Sequence, residues 1–104
     1  MKFRTTPAFD TDWSALSAEG RELARKGMAA FIEACNAAER DGHWPPTFPA
    51  KCRVSQMKGV DRIWEMTRHY RQPGGRATFA WVSIDGKPGV LWRRLGGHEI
   101  YERP

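Results

Sequence analysis

Apolar residues recur every three or four positions between Phe9 and Arg40, and from Lys51 onward they alternate with polar ones. The first spacing is that of an amphipathic helix and the second that of a half-buried strand, so the chain divides into a helical half and a stranded half. Ahead of the helical part, Phe3-Arg4-Thr5-Thr6 alternates and runs into Pro7, which predicts a short strand closed by the proline. Phe9, Trp13 and Leu16 then define a first helix over Phe9–Leu16, with Asp10 near its positive end. Ser17 is placed to cap a second helix, in which Leu23, Gly27, Ala30, Phe31, Ala34, Cys35 and Ala38 form the apolar stripe. That helix extends to about Arg40, and Gly42 ends it. His43 to Ala50, HWPPTFPA, has three prolines in eight residues and predicts an extended connector.

The alternating part reads as four strands, Lys51–Lys58, Arg62–Arg68, Arg76–Ile84 and Val90–Leu95. Their links, Gly59-Val60-Asp61, Gln72-Pro73-Gly74-Gly75 and Asp85 to Gly89, are short enough to require antiparallel neighbours. The expected architecture is a single α+β domain spanning 1–104. Its N-terminal strand and two helices pack on one face of a mostly antiparallel four- to five-stranded sheet, and the other face stays open. At 104 residues such a domain can build one modest core without metals or disulfides.

Charge adds a direction to this picture. The net +5 is unevenly spread: up to Ala50 there are six Lys or Arg against seven Asp or Glu, and from Lys51 eleven against five. A basic second half suits a polyanion, phosphate backbone first, although a solvated basic surface would produce the same count. No window of about 18 apolar residues occurs, and Met1 to Pro7 lacks the apolar run of a signal peptide, so a cytoplasmic chain with no membrane segment is expected. Cys35 and Cys52 fall in a helix and a strand and are read as reduced structural thiols. With His43, His69 and His98 scattered, no metal site or cofactor is expected. The absence of GxSxG and HExxH leaves serine and zinc hydrolase chemistry unsupported.

Candidate chemistry gathers at the end of the chain, VLWRRLGGHEIYERP. Strict alternation would send Arg93 and Arg94 to opposite faces, unless a bulge near Gly96-Gly97 re-aims the chain. The two glycines permit a bend that could bring His98 and Tyr101 over the sheet, where an ordinary turn and a frayed tail are the plain alternative. Five tryptophans, Trp13, Trp44, Trp64, Trp81 and Trp92, are expected mostly in the core, with one or two free to stack on bases.

The order strand, two helices, antiparallel meander resembles the RelE/ParE superfamily of toxins from bacterial type II toxin–antitoxin modules. The resemblance rests on FRTTPAFDTDWSAL, VSQMKGVDRIWEMT and LWRRLGGHEIY, and within them on Lys58, Gly59, Arg62, Trp64 and the terminal arginine-then-His/Tyr segment. RelE-like members are ribosome-dependent endoribonucleases; ParE-like members poison DNA gyrase; both are neutralised by a cognate antitoxin. The terminal His98 and Tyr101 place this sequence nearer the RelE branch, with mRNA on the ribosome as substrate.

RNA cleavage by the adjacent 2′-hydroxyl needs a base, cations for the pentacoordinate phosphate and an acid for the leaving oxygen. The resemblance implies His98 as base or acid, and Arg62 with one of Arg93 and Arg94 on the phosphate. Lys51, Arg53 and Lys58 would track the backbone, Tyr101 would stack on or hydrogen-bond the substrate, and Glu65 is a candidate second acid or base, with a structural salt bridge the favoured alternative. The other reading, from a different class, is a non-catalytic gyrase inhibitor or binding module on the same fold.

Overall fold

In the computed structural model, which describes residues 1–43, 46–48, 52–68 and 75–104, Pro7 opens a helix instead of closing a strand. Thr6 is extended, and its side chain accepts from Phe9 N at 3.1 Å, so the proline takes the first helical position, where no amide hydrogen is needed. Strand β1 is therefore Phe3–Thr5 and helix α1 Pro7–Ala15, two residues ahead of the expected start. Helix α2, Ala18–Asp41, follows the sequence pattern at both ends: Ser17 accepts from Gly20 N, and Gly42 takes the left-handed conformation with φ 70°.

The strands are β2 (Val54–Gln56), β3 (Trp64–Arg68), β4 (Gly75–Ile84) and β5 (Lys87–Gly96), followed by a 3-10 helix over His98–Glu102. Two of them are shorter than alternation predicts, because Arg53 and Arg62 have φ 40° and 64°, which no strand residue adopts. Strands β4 and β5 are longer: Ile84 pairs with Lys87 across Asp85 and Gly86, both at positive φ, the twist a two-residue hairpin requires. All five strands form one sheet in the order β1-β5-β4-β3-β2. Among the described strands, β1 and β5 pair in parallel and the other pairs are antiparallel, Phe3 lying against Val90 and Thr5 against Trp92.

The helices cover one face. Phe31 of α2 is fully buried with Ala24 and Cys35 against Met66, Ala77, Phe79 and Trp92. Its ring lies 4.8 Å from Phe79, 5.0 Å from Trp92 and 5.9 Å from Trp81. Each large side chain so buried contributes about 1.5–3 kcal/mol, which makes this aromatic cluster the main adhesive between helix and sheet. Trp13, Trp64 and Trp81 pack against the same cluster, so base stacking by these tryptophans on the open face is not supported; Trp44 lies outside the described residues.

Both cysteines are buried. Burial pushes the Cys35 thiol up to about 12. A thiol raised in the folded state keeps its proton when the unfolded chain has lost it, so stability falls as pH rises above 9.0 toward 12. Thermal melts across that window should show Cys35→Ala losing less stability per pH unit than the wild type. Equal slopes would place the alkaline titration elsewhere.

Candidate functional site

One extra residue in β5 sets the geometry at the end of the chain. Trp92 pairs with Phe79 and Arg94 with Thr78, so Arg93 is inserted between two consecutive positions of β4. The bulge lies three residues before the glycines and cancels the alternation that would have parted the two arginines. Arg93 Nε donates to the main-chain oxygen of Pro104 at 3.2 Å, and Arg94 Nη1 to that of Arg103 at 3.0 Å. Both therefore reach the tail, and Thr78 Oγ1 joins them, donating to Pro104 O at 3.0 Å. Opposite faces for Arg93 and Arg94 is thus an expectation the bulge overturns.

Arg94 is further committed to α1. Its Nε and Nη2 contact the Asp12 carboxylate at 2.7 and 3.1 Å, and the same carboxylate accepts from Leu95 N at 2.9 Å. The side chains of Arg94 and Asp12 are 23% and 15% exposed, and the hydrogen bonds that Arg94 donates to Asp12 hold the guanidinium pKa above its ordinary value. A forked pair this well shielded is a structural joint. A phosphate would have to displace Asp12 to use it.

A different cluster stands on the open face. Glu65 of β3 lies opposite Thr78, and Thr67 opposite Arg76 of β4, so Glu65 and Arg76 belong to the face that α2 leaves uncovered. The 3-10 helix brings Tyr101 onto them. Arg76 Nε donates to the phenol oxygen at 2.8 Å, and the phenol in turn donates to the Glu65 carboxylate. Burial, then the bond to Glu65, pushes the Tyr101 pKa up, against the opposing influence of Arg76. A carboxylate, a guanidinium and a phenol, all half-buried, thus converge at one place. Glu65 and Tyr101 were expected candidates. Arg76 was missed; its signal was the pairing of β3 with β4, which puts it two residues along the same face from Glu65's neighbour Thr78.

The remaining candidates lie apart or beyond description. His98 begins the 3-10 helix that carries Tyr101, and its side chain is outside the described parts of the structure. Arg62 is not on a strand beside it. It sits in the turn before β3, its side chain 91% exposed and 3.8 Å from Asp61. It lies two residues before β3 begins and three before Glu65. Arg53 precedes β2 and Lys58 follows it, both exposed, while Lys51 lies outside the described residues. Among the described residues no group of three His, Cys, Asp or Glu is arranged to hold a metal ion, and no helix is long and apolar enough to cross a membrane.

These positions make separable predictions. Asp12→Ala should cost roughly 2–4 kcal/mol in denaturant titrations, because it strands a shielded guanidinium and a strand amide together. Arg62→Gly should instead raise stability by roughly 0.5–1 kcal/mol, since only glycine takes φ 64° without penalty. A loss in the second case would mean that the Arg62 side chain makes contacts its exposure belies.

No protein-family model matches the sequence, and no curated protein matches it. Among solved structures the chain is similar to a YoeB/ParE toxin from Agrobacterium tumefaciens, at 17% identity and a TM-score of 0.56. The likeness covers 94% of this chain and 99% of that one. At this identity it is a likeness of fold. Two helices on one face of a five-stranded sheet, β1 parallel to β5 and the rest antiparallel, are the RelE/ParE-type toxin fold.

Proposed function

We propose that this protein is the toxin of a type II toxin–antitoxin module and a metal-independent endoribonuclease acting on mRNA at the ribosome. The observation that carries the reading is the convergence of Glu65, Arg76 and Tyr101 on the open sheet face, beside the segment that begins with His98. Glu65 takes the proton of the 2′-hydroxyl as its oxygen attacks phosphorus. Arg76 neutralises the non-bridging oxygens of the pentacoordinate phosphate, the role the resemblance implied for Arg62 and one of Arg93 and Arg94. His98 gives a proton to the 5′-oxygen as the P–O5′ bond breaks, leaving a 2′,3′-cyclic phosphate and a 5′-hydroxyl. Tyr101 keeps Glu65 and Arg76 in register. Arg53, Lys58 and Lys51 supply nonspecific attraction to the RNA backbone.

The partner reading has its own observation. Phe3, Phe9, Trp13, Met28 and Ile32 line an open groove of about 410 Å³ beside β1, with Arg25 stacked 5.2 Å from the Trp13 ring. Phe3 is 53% exposed and β1 ends the sheet. An amphipathic antitoxin segment with apolar anchors and acidic flanks fits this groove. It meets the toxin on an apolar surface.

Mapping RNA 5′ ends after induction tests the activity. Codon-phased cuts in translated messages are expected; intact messages with DNA damage would transfer the protein to the gyrase-poisoning class. In single-turnover cleavage on programmed ribosomes, Glu65→Gln, Arg76→Ala and His98→Ala should each lower the rate about 10²-fold or more, with melting temperatures near wild type. Arg62→Ala should leave the rate within a few-fold of wild type. Wild-type rates for Glu65→Gln and Arg76→Ala would remove the proposed centre.

A further inference from the structure

Arg103 and Pro104, which follow the 3-10 helix, are held at the main chain by side chains from the middle of the sheet. Thr78, fully buried, and Arg93 converge on the main-chain oxygen of Pro104, at 3.0 and 3.2 Å, and Arg94 holds that of Arg103 at 3.0 Å. The clamp is itself braced from α1. Asp12 fixes the Arg94 fork, and Thr6, the cap of α1, donates through Oγ1 to the Arg93 carbonyl at 2.6 Å. Immobilising two long arginine side chains costs conformational entropy, and a buried hydroxyl without a partner would cost more, so this part of the sheet is organised around the tail.

What the tail leads back to is Tyr101. A 3-10 helix of five residues has weak internal hydrogen bonding and cannot hold its own orientation. On one side it joins β5 through Gly97, whose amide is taken by Glu99 Oε1 at 3.0 Å; on the other it joins the clamped residues. Ile100, 1% exposed, pins its middle. With an apolar pin alone the helix can still rotate about that pin, and the phenol stands on its rim.

We infer that Thr78, Arg93 and Arg94 are positioning residues, which grip the main chain at Arg103 and Pro104 and so fix the Tyr101 phenol between Glu65 and Arg76. The consequence for cleavage rests on the catalytic reading above; the placement of the phenol does not. It also gives Arg93 and Arg94 a task other than binding phosphate. Their guanidinium groups hold the chain's own oxygens.

The test uses Tyr101 as its own reporter. Tyr70 and Tyr101 are the two tyrosines, so in a Tyr70→Phe background the tyrosinate absorbance follows Tyr101 alone. Three changes loosen the clamp: deletion of residues 103–104, Thr78→Val, which keeps the shape of the buried residue, and Arg93→Met. Circular dichroism at each pH restricts the comparison to folded protein. In the parent, Tyr101 should titrate above an ordinary tyrosine, as its burial and its bond to Glu65 require. All three changes should move it back toward the ordinary value, and Arg93→Lys, which restores a donor, should recover part of the shift. In cleavage assays kcat should fall about tenfold or more with KM changed less than about twofold, the mark of a misplaced group and not of lost binding. An unchanged Tyr101 titration in folded deletion and Thr78→Val proteins would overturn the inference. If the wild type cuts no RNA and the titration still follows the clamp, the positioning role stands and the nuclease reading falls.

Discussion

Between Trp92 and Arg94 the last strand carries one residue more than its neighbour, and the arrangement of the C-terminal end depends on that insertion. Before it, β5 alternates in the usual way and delivers Val90 and Trp92 to the aromatic core. After it, Leu95 returns to the core while Arg93 and Arg94 are both left free to meet the tail. A strand without the bulge would bury one guanidinium under α2 or lose a core residue, and either would cost more than one missing ladder bond. The bulge makes a double arginine compatible with a buried central strand.

The two faces of the sheet divide the labour. Toward the helices, Phe31, Phe79, Trp81 and Trp92 interlock with ring centroids about 5–6 Å apart, and this contact area fixes the sheet's position. Toward the open side, the pleat of the same strands presents Glu65, Thr67, Arg76 and Thr78. Because the core holds the strands rigid, polar groups on the opposite face keep their spacing at little extra cost. Such a platform, and not a mobile loop, suits chemistry that depends on two charged groups a few ångströms apart.

The joint between Arg94 and Asp12 links these layers. It ties α1 to β5 through a forked ion pair and a strand amide, and the Thr6 hydroxyl adds a second tie at the opposite end of the helix. Through Arg94 the same joint extends to the tail and hence to the helix bearing Tyr101. A basic residue expected as a phosphate ligand is here bound by a carboxylate 2.7 Å away.

Sequence periodicity by itself determined the α+β class, the caps Ser17 and Gly42 and the stranded second half, because capping and alternation are local properties of the chain. It misjudged Pro7, whose role turned on whether Thr6 capped a helix, and it extended strands through Arg53 and Arg62, whose positive φ leaves no trace in hydrophobic pattern. The tertiary structure alone decided the rest. Arg76 meets Tyr101 only through the pairing of β3, β4 and β5, and Arg94 meets Asp12 across 82 positions of sequence. Which charge is answered by which partner depends on register between distant segments, and a single extra residue in one strand re-aims the side chains around it; no local pattern records either.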